Sequence, residues 1–192
     1  MTCKHISAMT SWEWSTLKPY LDSVEKKKIY LEIGSANGKS LNTISSIIDK
    51  RGILIGVDLF YKQDLKNVVQ KLKSQNRNIH FIKGDSKLPK IKNEVVKILN
   101  GQKVDILFID GDHTLWGVEN DIQNYTPLVR QDGLIIFHDC GFPHGAHRGR
   151  GVRANVHPAF YMFVYDKPYV LIQEHAGIGI VWNRKAKWIN SR

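Results

Sequence analysis

Apolar positions along the chain fall into short continuous runs separated by stretches with helical spacing. "KIYLEIG" (28–34) is an apolar run that closes on a glycine, and "GKSLNTISSIIDK" (38–50) places Leu41, Ile44, Ile47 and Ile48 on one helical face. "GILIGVDLF" (52–60) reads as a buried strand, and "YKQDLKNVVQKLKS" (61–74) as an amphipathic helix. "NIHFIKGD" (78–85) and "KIKNEVVKILN" (90–100) repeat the pair, as do "VDILFID" (104–110) and "TLWGVENDIQNYTPLV" (114–129). The last of these helices should end near Thr126, because Pro127 disfavours helical backbone before it. "GLIIFHD" (133–139) is a fifth strand. Apolar strands alternating with helices predict a mainly parallel sheet covered on both faces, a Rossmann-like doubly wound α/β fold.

Two segments depart from this alternation. "GFPHGAHRGRGVRANVHPAF" (141–160) is rich in Gly, His and Arg and reads as a loop, a lid over a substrate site, with a short helix after it. "YVLIQEH" (169–175) and "GIGIVWN" (177–183), joined by a short Ala-Gly link, read as an antiparallel hairpin on the sheet edge. Residues 1–27, with "SWEWSTLKPYLDSV", form a helical cap, and residues 1–192 read as a single domain. Trp12 and Trp14 anchor that cap or line an acceptor pocket.

The composition is that of a globular protein, 42% hydrophobic and 24% charged. No apolar run reaches the roughly 18 residues of a membrane span, and the N-terminus lacks a secretory signal pattern. Cys3 and Cys140 are too few for a disulfide framework, which makes the cytoplasm the expected location. The net charge of +10 admits a nucleic-acid partner, but the lysines are scattered; the densest clusters are Arg148, Arg150 and Arg153 and the tail from Arg184 to Arg192.

In doubly wound sheets ligands bind at the carboxyl ends of the strands. The first five strands there offer Glu32, Asp58, Asp85, Asp110 and Asp139. Any one of them could be an ordinary helix cap, but a cap need not be acidic five times over. The first turn, "YLEIGSANGKS", carries Gly34, Ser35, Gly38 and Ser40. It lacks the second glycine of a pyrophosphate-binding loop, since Ala36 stands there, and it does not fit a triphosphate loop. Glu32 would repel phosphate and attract a cation. Asp58 can accept both hydroxyls of a ribose, and Asp85 with Ser86 can meet an adenine amine. Adenosine with a positively charged tail suits these features, and S-adenosylmethionine is such a molecule.

The segments "LEIGSANGKSL", "GVDLF", "IKGDS", "FIDGDHTLWGVENDI" and "LIIFHDC" resemble those of class I S-adenosylmethionine-dependent methyltransferases over residues 28–140. The likeness is greatest to the family typified by macrocin O-methyltransferase and the cephalosporin hydroxylase-like proteins. The resemblance implies a divalent metal, Mg²⁺ first, on Asp110 and Asp139, with His138 as a third ligand where some relatives carry a carboxylate. An imidazole ligand would favour Mn²⁺, Fe²⁺ or Zn²⁺. Catechol-type relatives have Asn after the second aspartate, where Cys140 stands here. His113 is the candidate general base beside the catalytic Asp110, or else a helix N-terminal residue bonded to a neighbouring strand end. Asp112 faces the cofactor or the helix N-terminus. His144, His147 and His157 admit a zinc site, although their spacing is irregular and Cys140 is the only nearby thiol; a lid over the acceptor is the favoured reading.

The expected function is therefore metal-assisted O-methylation of a hydroxyl on a small molecule or sugar. A nucleic-acid methyltransferase is the alternative suggested by charge, although "DGDH" follows the fourth strand in place of an N-P-P-Y-like tetrapeptide. A non-catalytic nucleotide-binding protein would have no use for Glu32, Asp58, Asp110 and Asp139 together. No His₂-carboxylate spacing suggests oxidation.

Overall fold

The computed structural model describes residues 9–141 and 156–186. Seven strands form one sheet in the order β3-β2-β1-β4-β5-β7-β6. They are β1 (Ile29–Ile33), β2 (Ile53–Asp58), β3 (Asn78–Lys83), β4 (Val104–Ile109), β5 (Val129–His138), β6 (Tyr169–Ile172) and β7 (Ile178–Trp182). The first five are parallel; β7 runs antiparallel to both β5 and β6. The helices are α1 (Ser11–Asp22), α2 (Lys39–Ile44), α3 (Gln63–Ser74), α4 (Pro89–Leu99), α5 (Leu115–Tyr125) and α6 (Val156–Phe163). One apolar cluster joins α4, α5 and α6 to one face of the sheet, and a second joins α1, α2 and α3 to the other. Both faces are thus covered, which is why β1 and β4 are buried along their whole length.

Three boundaries differ from the sequence reading. The helix expected over 38–50 ends at Ile44. The Ser45 and Ser46 hydroxyls donate to the Asn42 and Thr43 carbonyls, competing with continued helix. The fifth strand begins at Val129 rather than at 133, because buried Val129 pairs with Val104 before a register shift that includes Asp132 at φ 60°. The turn between β6 and β7 spans 173–177 rather than an Ala-Gly pair, and it packs on β5: the Cys140 amide donates to Gly177 O and the Gly141 amide to Ala176 O. Of the loop expected over 141–160, residues 142–155 lie outside the described residues, and 156–160 open α6. His144, His147, Arg148, Arg150 and Arg153 fall in that gap, while His157 is buried with Nδ1 donating to the Cys140 carbonyl. Among the described residues no helix is long and apolar enough to cross a membrane.

Candidate active site

Strand order reverses beside β1: the chain steps outward through β2 and β3, then returns to place β4 on the other side of β1. In doubly wound sheets the ligand crevice lies at the carboxyl ends beside such a reversal. Gly34, just past β1, has φ 92°, and a Cβ on it would come 2.1 Å from the Asp110 carbonyl oxygen. Only glycine lets the first turn pass this close to the end of β4. Ala36 also takes a left-handed φ of 45°, and its amide donates to Asp58 Oδ2 at 2.7 Å. The turn is thereby tied to the end of β2. Asp58 Oδ1 accepts from the Phe60 amide at 2.8 Å, so both of its oxygens are fixed by backbone at the rim.

Glu32 is fully buried on β1, with Oε2 accepting from Tyr30 Oη at 2.6 Å. Burial pushes its carboxyl up to about 7, against the opposing pull of the Tyr30, Ser40 and Ser35 hydroxyls. Its Oε1 and Ser35 Oγ, both buried, make no hydrogen bond of ordinary geometry. Gly38 is the N-cap of α2 at φ 79°, and a Cβ there would crowd Leu65 and Val68. Asp85 and Ser86 follow β3. Lys87 spans them and the β4 loop, 2.8 Å from Asp112 Oδ2 and 3.6 Å from Asp85 Oδ1. Asp112 Oδ1 accepts from the Thr114 amide, so Asp112 serves the start of α5 as well as Lys87. Thr114 in turn caps that helix through the Gly117 amide.

The polar end of β4 meets the end of β5 in a tight cluster. Continuing the β4–β5 register past Ile109 and Phe137 sets Asp110 opposite His138, not opposite Asp139. Asp139 reaches the cluster by leaving the strand at φ 59°, a left-handed conformation that aspartate adopts more readily than most side chains. Asp110 Oδ1 then lies 3.2 Å from His113 Nε2 and 3.3 Å from His138 Nδ1. Asp139 Oδ2 lies 3.4 Å from His113 Nδ1 and 3.5 Å from His138 Nδ1. Two carboxylates are thus bracketed by two imidazoles. Donor atoms of Asp110, His113 and Asp139 fall within 4.8 Å of one another, a group that holds His113, the expected base, and not His138, the expected third ligand. Burial alone would raise the Asp110 carboxyl, but the two histidines hold it down at about 2. Burial likewise opposes charge on His113 and His138, and the carboxylates outweigh it, raising both imidazoles.

Two buried carboxylates here were given no role in the sequence reading. Glu13 of α1 is 2% exposed and stands 3.3 Å from His138 Nε2 through Oε1. Its Oε2 accepts from the Thr10 amide, completing a capping box with the Thr10 hydroxyl. The box is legible as T-x-x-E at 10–13; the bond to His138, 125 residues away, is not. Asp121 of α5 is fully buried under the β4 loop, with Oδ2 3.3 Å from where a Cβ on Gly111 would sit. Burial pushes its carboxyl up to about 7, partly offset by Ser86 and Lys87. The sequence contains it only as the last residue of the "GVEND" stretch.

A methyltransferase-domain family model matches residues 31–140, more than half of the chain. No curated protein matches the chain in sequence. Among solved structures, a protein assigned as a caffeoyl-CoA O-methyltransferase from Staphylococcus aureus superposes with TM-score 0.70 at 20% identity, over 93% of this chain and 85% of that one. An assigned rRNA-methylase from Clostridium thermocellum superposes with TM-score 0.65 at 11% identity, over 91% and 98%. MycE methyltransferase of the mycinamycin biosynthetic pathway, in complex with Mg, SAH and mycinamycin VI, superposes with TM-score 0.60 at 18% identity; 90% of this chain covers half of MycE. These likenesses concern the fold. With the match over residues 31–140 they make the chain a member of the methyltransferase-domain family, a class I S-adenosylmethionine-dependent methyltransferase.

Proposed function

We propose that the protein transfers the methyl group of S-adenosylmethionine to a hydroxyl of a small molecule or sugar, with a divalent metal held by Asp110, Asp139 and His138. The observation that carries this reading is the bracketing of the Asp110 and Asp139 oxygens by two imidazoles at 3.2–3.5 Å. Two buried carboxylates with donor atoms within 4.8 Å of each other require a cation or protons between them. The donor chemistry fits a divalent ion, and the imidazoles shift the preference from Mg²⁺ toward Mn²⁺. MycE, a neighbour in fold, was crystallised with Mg and SAH.

S-adenosylmethionine, when bound, supplies an electrophilic methyl on a cationic sulfur. In this reading Asp58 accepts the ribose hydroxyls with oxygens already fixed by the Ala36 and Phe60 amides. Asp85 and Ser86 border the adenine. The first turn, with Gly34, Ser35, Gly38 and Ser40, lets the backbone approach the cofactor, and Glu32 beneath it favours the positive tail. A bound metal would acidify the acceptor hydroxyl and fix its oxygen. His113 is part-exposed at the mouth of the cluster, where it takes the acceptor proton as general base; Asp110 orients it at 3.2 Å. In this reading the buried His138, with Nδ1 at 3.3 and 3.5 Å from the two carboxylates, is the ligating imidazole.

Transfer of labelled methyl from S-adenosylmethionine to a panel of vicinal diols, phenols and sugars tests this reading. Activity should appear with Mg²⁺ or Mn²⁺, vanish with chelator, and fall by at least about 10²-fold in His113→Ala. Activity indifferent to chelator would remove the metal from the account. A second reading, methylation of RNA, draws on the net charge of +10 and on the assigned rRNA-methylase among the structural neighbours.

A further inference from the structure

The two oxygens of Glu13 divide between two tasks. Oε2 accepts from the Thr10 amide at 2.6 Å and so belongs to the α1 cap, while Oε1 faces His138 Nε2 at 3.3 Å. An ionised carboxylate only accepts hydrogen bonds, so the proton of this contact sits on Nε2. The other ring nitrogen, Nδ1, is buried and has Asp110 Oδ1 and Asp139 Oδ2 at 3.3 and 3.5 Å. Nδ1 can face the two carboxylate oxygens as an N–H, and a metal bound among them would take the place of that proton. Histidines that bind metals commonly donate their remote N–H to a carboxylate, which fixes both ring orientation and tautomer. Glu13, His138 and the carboxylate pair have that arrangement.

We propose that Glu13 is the positioning residue of the metal site: through Oε1 it holds the His138 ring with Nδ1 facing Asp110 and Asp139, making the N-terminal helix part of the metal centre. The inference rests on the metal reading given above and adds to it a residue outside the 31–140 match. It also explains why a helix-capping glutamate is only 2% exposed. The helix α1 cannot leave the sheet without releasing the imidazole.

Glu13→Gln separates the two tasks. Its amide oxygen can still cap Thr10, which turns the NH₂ group toward His138 Nε2. That nitrogen must then accept, the proton moves to Nδ1, and ligation is blocked. Co²⁺ and Mn²⁺ titrations by calorimetry, with the visible absorption of bound Co²⁺, read the site without turnover. Wild type should bind with a nitrogen-ligated Co²⁺ spectrum. Glu13→Gln should bind roughly 10- to 100-fold more weakly with an altered spectrum, while its thermal midpoint and its affinity for metal-free S-adenosylmethionine stay those of wild type. In a His138→Ala background the Gln substitution should change metal affinity no further. Should Glu13→Gln not fold, Thr10→Ala, which weakens the cap alone, must leave metal affinity unchanged, and a loss there would overturn the proposal. Wild-type metal affinity and spectrum in Glu13→Gln would overturn it and leave the metal reading standing. Absence of metal binding by the wild type would overturn both.

Discussion

Glu32 has the environment of a residue kept for binding at the expense of stability. Its folded carboxyl, at about 7, lies above the ordinary 4.5, so the folded state holds its proton more tightly than the unfolded chain does. Stability from this group is therefore undiminished below pH 4.5 and declines as pH rises through 7, by at most on the order of 3 kcal/mol. Glu32→Gln should be more stable than wild type at pH 8 and no more stable at pH 4, measured by denaturant unfolding at both. It should also bind S-adenosylmethionine less well, because a cationic sulfonium favours the carboxylate; equal stability gains at both pH values would contradict the burial argument. At this scale the sequence was informative where residues lie at strand ends. Glu32, Asp58, Asp110 and Asp139 were read from the alternation of apolar runs and the polar residues closing them. Glu13 and Asp121 were not, because what makes each notable is a neighbour far along the chain or a depth of burial that helical periodicity does not encode.

Elements meet at the site with little room, and glycines mark where. Gly34 carries a left-handed φ of 92° and has the Asp110 carbonyl where a side chain would begin. Gly34→Ala must move the first turn away from β4, at a cost of roughly 3 kcal/mol or more from overpacking and backbone strain together. A thermal midpoint many degrees below wild type, or insoluble expression, is the expected outcome; a wild-type melt would mean that β1 and β4 separate readily. The parallel character of β1 to β5 and the antiparallel β6–β7 pair were legible, because strand composition and helix spacing both reflect burial; the order of the strands was not. Element ends were less so. The stop of α2 at Ile44 depends on serine hydroxyls that choose backbone carbonyls, and the early start of β5 depends on Val129 finding Val104. The pairing of Asp139 with Asp110 came from the family resemblance; the route, a turn out of the strand with Asp110 facing His138, was not legible.

At the scale of the whole molecule, the charge of +10 bears on which partner approaches, not on the fold. On the small-molecule reading, binding to an RNA hairpin should be weak, indifferent to sequence and steeply reduced by salt, and labelled methyl should not enter the RNA. Methyl incorporation into RNA at physiological salt would favour the second reading. The central claim concerns the crevice beside β1, where two amides aim Asp58 at the rim and Glu32 lies beneath the first turn. Calorimetric titration of S-adenosylmethionine and of its demethylated product into wild type and Asp58→Ala, each with and without Mg²⁺, tests it most directly. The account predicts micromolar binding by wild type and at least roughly tenfold weaker binding by Asp58→Ala, the loss of a charge-assisted pair of hydrogen bonds. Absence of binding of either ligand by wild type, or equal affinity in the variant, would contradict it.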